Sequence, residues 1–486
     1  MSFTRRGVLG GVLSSVATGV MAEAPFTSMR PRARIVPTAD LGTIIRRARL
    51  SGDVGCVLAD LESGEVLQEV APDLRLPPAS VTKAVTALYA LETLGPAHRF
   101  ATRLLATGPL VNGVLDGDLI LAGGGDPNLV TDQLATLADR LKDTGLSTVN
   151  GDFLVWDDAL VNLDEIDPSQ LDHLGYNPTI TGLNLNFNRV YFEWKRSGDD
   201  YTTVLDARSE NFKPQVTSAR MAVVNRASPV FTYRGREGVD EWTVARRALN
   251  NGGSRWLPVR NPARYAGEVF ATFARSHGIV LAAPKEIADL PQISELAVFE
   301  SRPLEQMMRG MLRFSTNITA EAAGLATSAA ASGQRRGLRT SALSMARWAE
   351  QRAGARANFV DHSGLGDQSR ISAADMVKFL SADGVRATLH PILKPVTLTD
   401  RSGDRLSEFP GEVRGKTGTL NFVSSLAGYV RAQSGRQLSF AFFAADLAAR
   451  EAGKRAGDES PRGAVGWNRA AKRLQQDILQ NWIRLL

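Results

Sequence analysis

Cysteine is almost absent. Cys56 is the single one in 486 residues, so no intramolecular disulfide can form. It stands in the apolar run Gly55-Cys56-Val57-Leu58, which reads as a buried strand and makes it a small core residue rather than a reactive thiol. Histidine is also scarce: His98, His173, His277, His362 and His390 lie far apart. No H-E-x-x-H or other ligand spacing joins them, so no metal is expected. No cofactor is expected either. Gly123-Gly124-Gly125-Asp126 lacks the rest of a phosphate loop and reads as a tight turn. Past the N-terminus there is no apolar run long enough for a membrane span. The net charge is +6, but Lys and Arg form no stripe and accompany no nucleic-acid motif. Nucleic acid is therefore excluded as a partner.

At this length, with 43% hydrophobic and 22% charged residues, the chain has a globular makeup and room for roughly two to four domains. The N-terminus carries Thr4-Arg5-Arg6-Gly7, a mostly apolar run from Val8 to Val20, and Ala22-Glu23-Ala24. A basic start, a short apolar stretch and an A-x-A ending make a secretory signal over residues 1–24, with the mature chain beginning near Pro25. The paired arginines resemble a twin-arginine export signal; an ordinary Sec signal is the alternative.

From Ile44 to Val70 the pattern predicts a helix, a strand at Cys56 to Asp60, a turn at Glu62-Ser63-Gly64 and a returning strand. Pro77-Pro78 then precedes a helix from Ser80 to about Leu94, closed by Gly95-Pro96. That helix is apolar on nearly all sides, which predicts a central, buried position. Residues 99–285 differ in texture: short strand-like runs such as Phe153-Leu154-Val155 alternate with Gly, Pro, Asn and Asp. This reads as an inserted, mostly β region. From about Leu296 the pattern returns to mixed α/β, ending in a helix from about Ala464 with Trp467, Leu474, Ile478 and Trp482 at helical spacing. Packing on a sheet is the reading preferred for that stripe over a membrane-surface anchor.

Three short motifs carry chemistry. Ser80-Val81-Thr82-Lys83 starts a helix, so Ser80 and Lys83 share a face. A free serine is a poor nucleophile, and a desolvated lysine can serve as its base. Ser315-Thr316-Asn317 lies between two helical runs. Lys416-Thr417-Gly418-Thr419 heads a strand and offers a cation, hydroxyl donors and, at Gly418, room for close approach to the backbone. Each is weak alone; their order and context give them force. Ser315 follows Ser80 by 235 residues, and Lys416 follows Ser315 by 101.

This set, with its long first interval, resembles the low-molecular-mass class C penicillin-binding proteins, the D-alanyl-D-alanine carboxypeptidase/endopeptidase family. Leu76-Pro77-Pro78-Ala79-Ser80, Gly125-Asp126-Pro127 and His362-Ser363-Gly364-Leu365 look like that family too. The resemblance implies an α/β (α+β) penicillin-binding/β-lactamase-like transpeptidase fold. Residues 27–98 and 286–486 would form the catalytic domain, and 99–285 an insertion of two small domains. It implies a periplasmic serine enzyme that cleaves D-Ala-D-Ala termini of peptidoglycan stem peptides, and also D,D-cross-links, and that binds β-lactam antibiotics covalently. Ser80 would be the acylated nucleophile and Lys83 its base. Ser315 would relay a proton and Asn317 bind the substrate amide. Lys416, Thr417 and Thr419 would hold the terminal carboxylate, beside Gly418. The backbone N–H groups of Ser80 and Thr419 would form the oxyanion hole.

Two positions depart from the pattern. Thr316 stands where relatives often carry Asp and is expected to point away from substrate. Asp367 stands where many carry an arginine that helps hold the substrate's diamino-acid side chain. Two rivals are weighed. A β-lactamase would need a deacylation glutamate segment soon after the second motif, and none is recognisable. A silent peptidoglycan-binding protein would not be expected to keep Ser80, Lys83, Asn317 and Lys416 together. Asp157-Asp158 reads as an exposed acidic turn. His362 beside Ser363 is not a catalytic pair, because adjacent residues do not face each other in a regular element.

Overall fold

In the strand Asp53–Asp60 successive side chains enter two different cores. Cys56 and Leu58 join one apolar cluster, Val57 and Ala59 another. The strand Gln437–Ala445 divides the same way: Phe440, Phe442 and Ala444 on one side, Ala441, Phe443 and Ala445 on the other. An apolar residue at every position is what a strand covered on both faces requires. The computed structural model describes residues 40–400, 402–406 and 411–485; the export signal read at the N-terminus lies outside these.

The two strands belong to a six-stranded sheet in the order Lys394–Pro395, Glu412–Leu420, Val423–Arg431, Gln437–Ala445, Asp53–Asp60, Val66–Val70. Every neighbouring pair in it is antiparallel. Helices Leu41–Ala48 and Ala464–Leu485 cover one face. The stripe Trp467, Leu474, Ile478 and Trp482 is buried there, and Trp482 donates to Gln68 Oε1 at 2.8 Å. The terminal helix therefore packs on the sheet, as its spacing predicted.

The other face carries helices Thr82–Leu94, Leu304–Phe314, Asn317–Ser332, Leu338–Ala353 and Ala373–Ser381. Thr82–Leu94 is buried from Thr82 through Leu91, so it forms the axis of this cluster. It is preceded by a tight turn over Ala79–Val81.

The inserted region has its own core, one apolar cluster running from Leu104 to Ala297. Its main sheet has the order Lys285–Glu286, Phe153–Trp156, Leu119–Gly123, Ala101–Ala106, Ser294–Glu300. Three three-stranded sheets accompany it in this region. The sequence pattern predicts one helix in this region, from Ala263 to Ser276, and the structure has it at Pro262–Ser276; helix Thr131–Asp143 was not expected. The expected boundary at 285/286 assigns Ser294–Glu300 to the other piece of the chain. Its pairing with Ala101–Ala106 places it in the inserted sheet instead.

Candidate active site

The turn Ala79–Val81 brings Ser80 to the start of the buried helix, and two glycines fix the turn from either side. A Cβ on Gly418 would meet Pro78 O at 2.7 Å and Ser80 N at 2.9 Å; one on Gly364, at φ +76°, would meet Ala79 O at 1.9 Å. Gly418 was expected to admit substrate; in the fold it admits the Ser80 turn itself. Ala79 is held at φ 46° and Ser315 at φ 61°, left-handed conformations that cost a non-glycine residue ~1–3 kcal/mol. Both strained residues flank the same hydroxyls.

Three segments converge there. Lys83 Nζ donates to Ser80 Oγ at 3.1 Å, Asn317 Oδ1 at 2.8 Å and Ser363 O at 2.7 Å. Ser315 Oγ donates to Ser80 Oγ at 2.8 Å. Lys416 Nζ donates to Ser315 Oγ at 3.0 Å and Thr417 O at 2.7 Å. Thus Ser80, Lys83, Ser315, Asn317 and Lys416 form one connected network. Burial pushes Lys83 down to about 8, against the raising pull of Glu321 and then Asp361. Burial, followed by Lys83, holds Lys416 well below the ordinary lysine range.

Strand alternation separates the third motif. Lys416 and Gly418 face the Ser80 turn, while Val413 of the same strand enters the core under the terminal helix. Thr417 and Thr419 share Val413's parity and line the space toward that helix. Thr419 also lines the cleft of about 400 Å³ at Ser80. The far wall of this cleft comes from the insertion: Ser169, Gln170, Leu171, Leu174 and Tyr176. Asn317 Nδ2 donates to Tyr176 O at 2.8 Å, tying that wall to the second motif. Glu459 crosses the cleft, meeting His173 Nε2 at 3.1 Å and Arg255 Nη2 at 3.0 Å.

Several participants were not anticipated. Glu321 and Asp361 are buried behind Lys83. Glu321 accepts the N–H groups of His362 and Ser363, both at 2.9 Å; Asp361 accepts those of Gly364 at 2.6 Å and Gly366 at 2.5 Å. The two carboxylates hold the loop that presents Ser363 O to Lys83 and Gly364 to the turn. Glu321 follows Asn317 closely, and each of its oxygens accepts a backbone N–H of the loop behind Lys83. A lone acid among the alanines of Asn317–Ser332 was the available signal. His362 packs its ring on Gly324 and bonds Ser341 Oγ at 2.7 Å; burial pushes it down to about 3. It is neutral and does not touch Ser80.

The two departures have local explanations. Thr316 Oγ1 donates to Thr319 Oγ1 at 2.9 Å, turned into the first helical turn. Asp367 Oδ1 accepts from Arg450 Nε at 2.9 Å and Nη2 at 2.7 Å, and Lys454 bonds its other oxygen. Arg450 and Lys454 line the cleft, so this chain has cations on that wall from helix Leu447–Arg455. Asp157 and Asp158 are half-buried rather than exposed as expected, Asp158 pairs with Arg335 at 2.8 Å, and neither is among the residues lining the cleft. Among the described residues no group of His, Cys, Asp and Glu could hold a metal.

A family model described as the D-Ala-D-Ala carboxypeptidase 3 (S13) family matches residues 38–463. The chain is 27% identical over 472 residues to a D-alanyl-D-alanine carboxypeptidase of Actinomadura sp. (strain R39), covering 87% of this chain and 86% of that one. It is 24% identical over 409 residues to the D-alanyl-D-alanine carboxypeptidase DacB of Haemophilus influenzae, covering 80% and 85%. The crystal structure of penicillin binding protein 4 from Haemophilus influenzae superimposes with a TM-score of 0.71 at 20% identity, covering 90% of this chain and 99% of that one. A β-lactam complex of the same protein superimposes with a TM-score of 0.69 at 19% identity, covering 92% and 99%. The fold is therefore that of a penicillin-binding protein.

Proposed function

The chain belongs to the D-Ala-D-Ala carboxypeptidase 3 (S13) family and is a peptidase, and from that premise we propose that it cleaves the terminal D-Ala from peptidoglycan stem peptides through an acyl-enzyme on Ser80. The observation that carries this reading is the set of hydrogen bonds around Lys83. Its ammonium has three hydrogens and three acceptors, Ser80 Oγ, Asn317 Oδ1 and Ser363 O. After one proton is lost, the remaining two satisfy the shorter bonds to Asn317 and Ser363. The lone pair then faces Ser80, ready to take its proton.

Ser80 Oγ bonds the carbonyl carbon of the penultimate D-Ala while Lys83 takes the hydroxyl proton. The N–H groups of Ser80 and Thr419 stabilise the oxyanion. The C–N bond then breaks, and Ser315 passes a proton to the departing D-Ala amine and is resupplied through Lys416. Water attacks the acyl-enzyme and restores Ser80. Lys416 and Thr419 hold the terminal carboxylate, whose charge favours the protonated form of Lys416; Thr417, expected to share this role, faces the terminal helix and lines the adjoining space. A β-lactam enters by the same attack, and its tethered leaving group blocks the water. The chain's place is the periplasm, reached through the signal of residues 1–24. The catalytic domain is residues 40–98 with those following Glu300, and the region between carries the far wall of the cleft.

The test is release of D-Ala from a stem pentapeptide by the mature protein and by Ser80→Ala. The parent should release D-Ala and the variant should lose at least ~10³-fold in kcat. Equal rates would overturn the assignment of Ser80.

A further inference from the structure

The cleft does not end at the Lys416-Thr417-Gly418-Thr419 strand. Thr419 and Asn468 line it and also line a second cavity of about 630 Å³. That cavity runs along the terminal helix, whose Arg469, Lys472 and Arg473 border it. A third space of about 370 Å³ joins Thr417 and Thr419 to Lys394 and Lys472. Arg469, Lys472 and Arg473 stand at i, i+3 and i+4, hence on one helical face. All three are exposed, and among the described residues none forms an ion pair with Asp or Glu. Two acids share the groove. Asp400 turns one oxygen into its own loop, accepting from Ser402 Oγ, Gly403 N and Asp404 N, each at 2.9 Å. Asp477 is exposed at the far end. The groove is thus net cationic, and it opens from the two threonines.

We propose that this groove binds the second stem peptide of a cross-linked peptidoglycan dimer, an anionic peptide that is the leaving group when the enzyme acts as a D,D-endopeptidase. The proposal rests on the reading that Thr419, which lines both the cleft at Ser80 and this groove, holds the carboxylate next to the scissile bond. In a pentapeptide the group beyond that bond is a single D-Ala and ends at Thr419. In a cross-linked dimer the departing amine belongs to a whole peptide carrying several free carboxylates. That chain must leave past Thr417 and Thr419, and the space there is lined by unpaired cations. Complementary charge of this kind governs encounter and selectivity more than the chemical step. The bonds exchanged are the same: Ser80 Oγ acylates on the D-Ala carbonyl, the C–N bond breaks, and the proton goes to the peptide's amine.

The test compares two substrates sharing one acyl donor, a purified D,D-cross-linked disaccharide-peptide dimer and a monomeric pentapeptide. The proteins are the mature chain and R469E/K472E/R473E, with benzylpenicillin acylation as a check on an intact site. For the triple variant kcat/KM on the dimer should fall about tenfold or more, with the pentapeptide within about twofold. The neutral R469Q/K472Q/R473Q should fall between, and added salt should slow dimer cleavage alone. An equal fall on both substrates, an unchanged dimer rate, or a parent that releases D-Ala but does not cut the dimer would each overturn the proposal. Loss of pentapeptide turnover in the parent would instead count against the Ser80 peptidase reading.

Discussion

Lys83 is the residue on which the chemistry turns, because it must be neutral to act and is held where neutrality is attainable. Burial brings it to about 8, so acylation by benzylpenicillin should rise with pH and level off above about 8. The sign follows from the base being competent only after losing its proton. A second-order acylation rate measured from pH 6 to 10 checks this; a flat profile would remove Lys83 from that role. Glu321 acts on the same group through charge and through the loop it holds. Glu321→Ala leaves two buried N–H groups without an acceptor, at a cost of ~1–3 kcal/mol each, read as a lowered denaturation midpoint. Ser80, Lys83, Ser315, Asn317 and Lys416 were legible because motif order fixes them. Glu321, Asp361 and Tyr176 were not, since their contribution depends on which loop the fold lays beside Lys83.

At the scale of elements, the close approach of strand Glu412–Leu420 to the turn Ala79–Val81 sets the geometry. Gly418→Ala would put a methyl group against Pro78 O and Ser80 N, driving strand and turn apart. Acylation should drop at least ~10²-fold, the scale of a misplacement near 1 Å, while thermal stability falls by only a few degrees. Equal wild-type acylation would show that the contact is dispensable. The helix Thr82–Leu94 was legible because it is apolar on nearly all sides, which signals burial, whereas the strand Glu412–Leu420 was placed by its Lys416-Thr417-Gly418-Thr419 motif. Periodicity missed Thr131–Asp143, where the β-rich texture on both sides masked an amphipathic helix. It also missed the pairing of Ser294–Glu300 with Ala101–Ala106, a non-local contact that no short window contains.

For the whole molecule, the insertion and the catalytic part close one cleft together, through Asn317 at the start of its helix with Tyr176 and through Glu459 with His173 and Arg255. Sequence texture marked the insertion but could not reveal that it walls the site. Global stability should carry the mark of His362. Its ordinary value of 6.5 is lowered to about 3 by burial, so the unfolded chain binds a proton that the folded chain refuses. Its contribution is complete above pH 6.5 and is lost progressively as pH falls toward 3, on the order of 5 kcal/mol in all. Urea unfolding across that range should show a shallower pH slope for His362→Gln than for the parent; identical slopes would contradict it. The proposal that residues 1–24 are an export signal predicts that mass spectrometry of the protein recovered from the periplasm places its first residue near Pro25; a retained N-terminus would contradict it.

Everything in the proposed chemistry passes through a covalent intermediate on Ser80, and intact-mass spectrometry after mixing with benzylpenicillin reads that intermediate. The mature protein should gain the mass of one penicillin, the adduct should persist, and Ser80→Ala should gain none. An adduct on the Ser80→Ala variant, or penicillin consumed rapidly without any adduct on the parent, would contradict it.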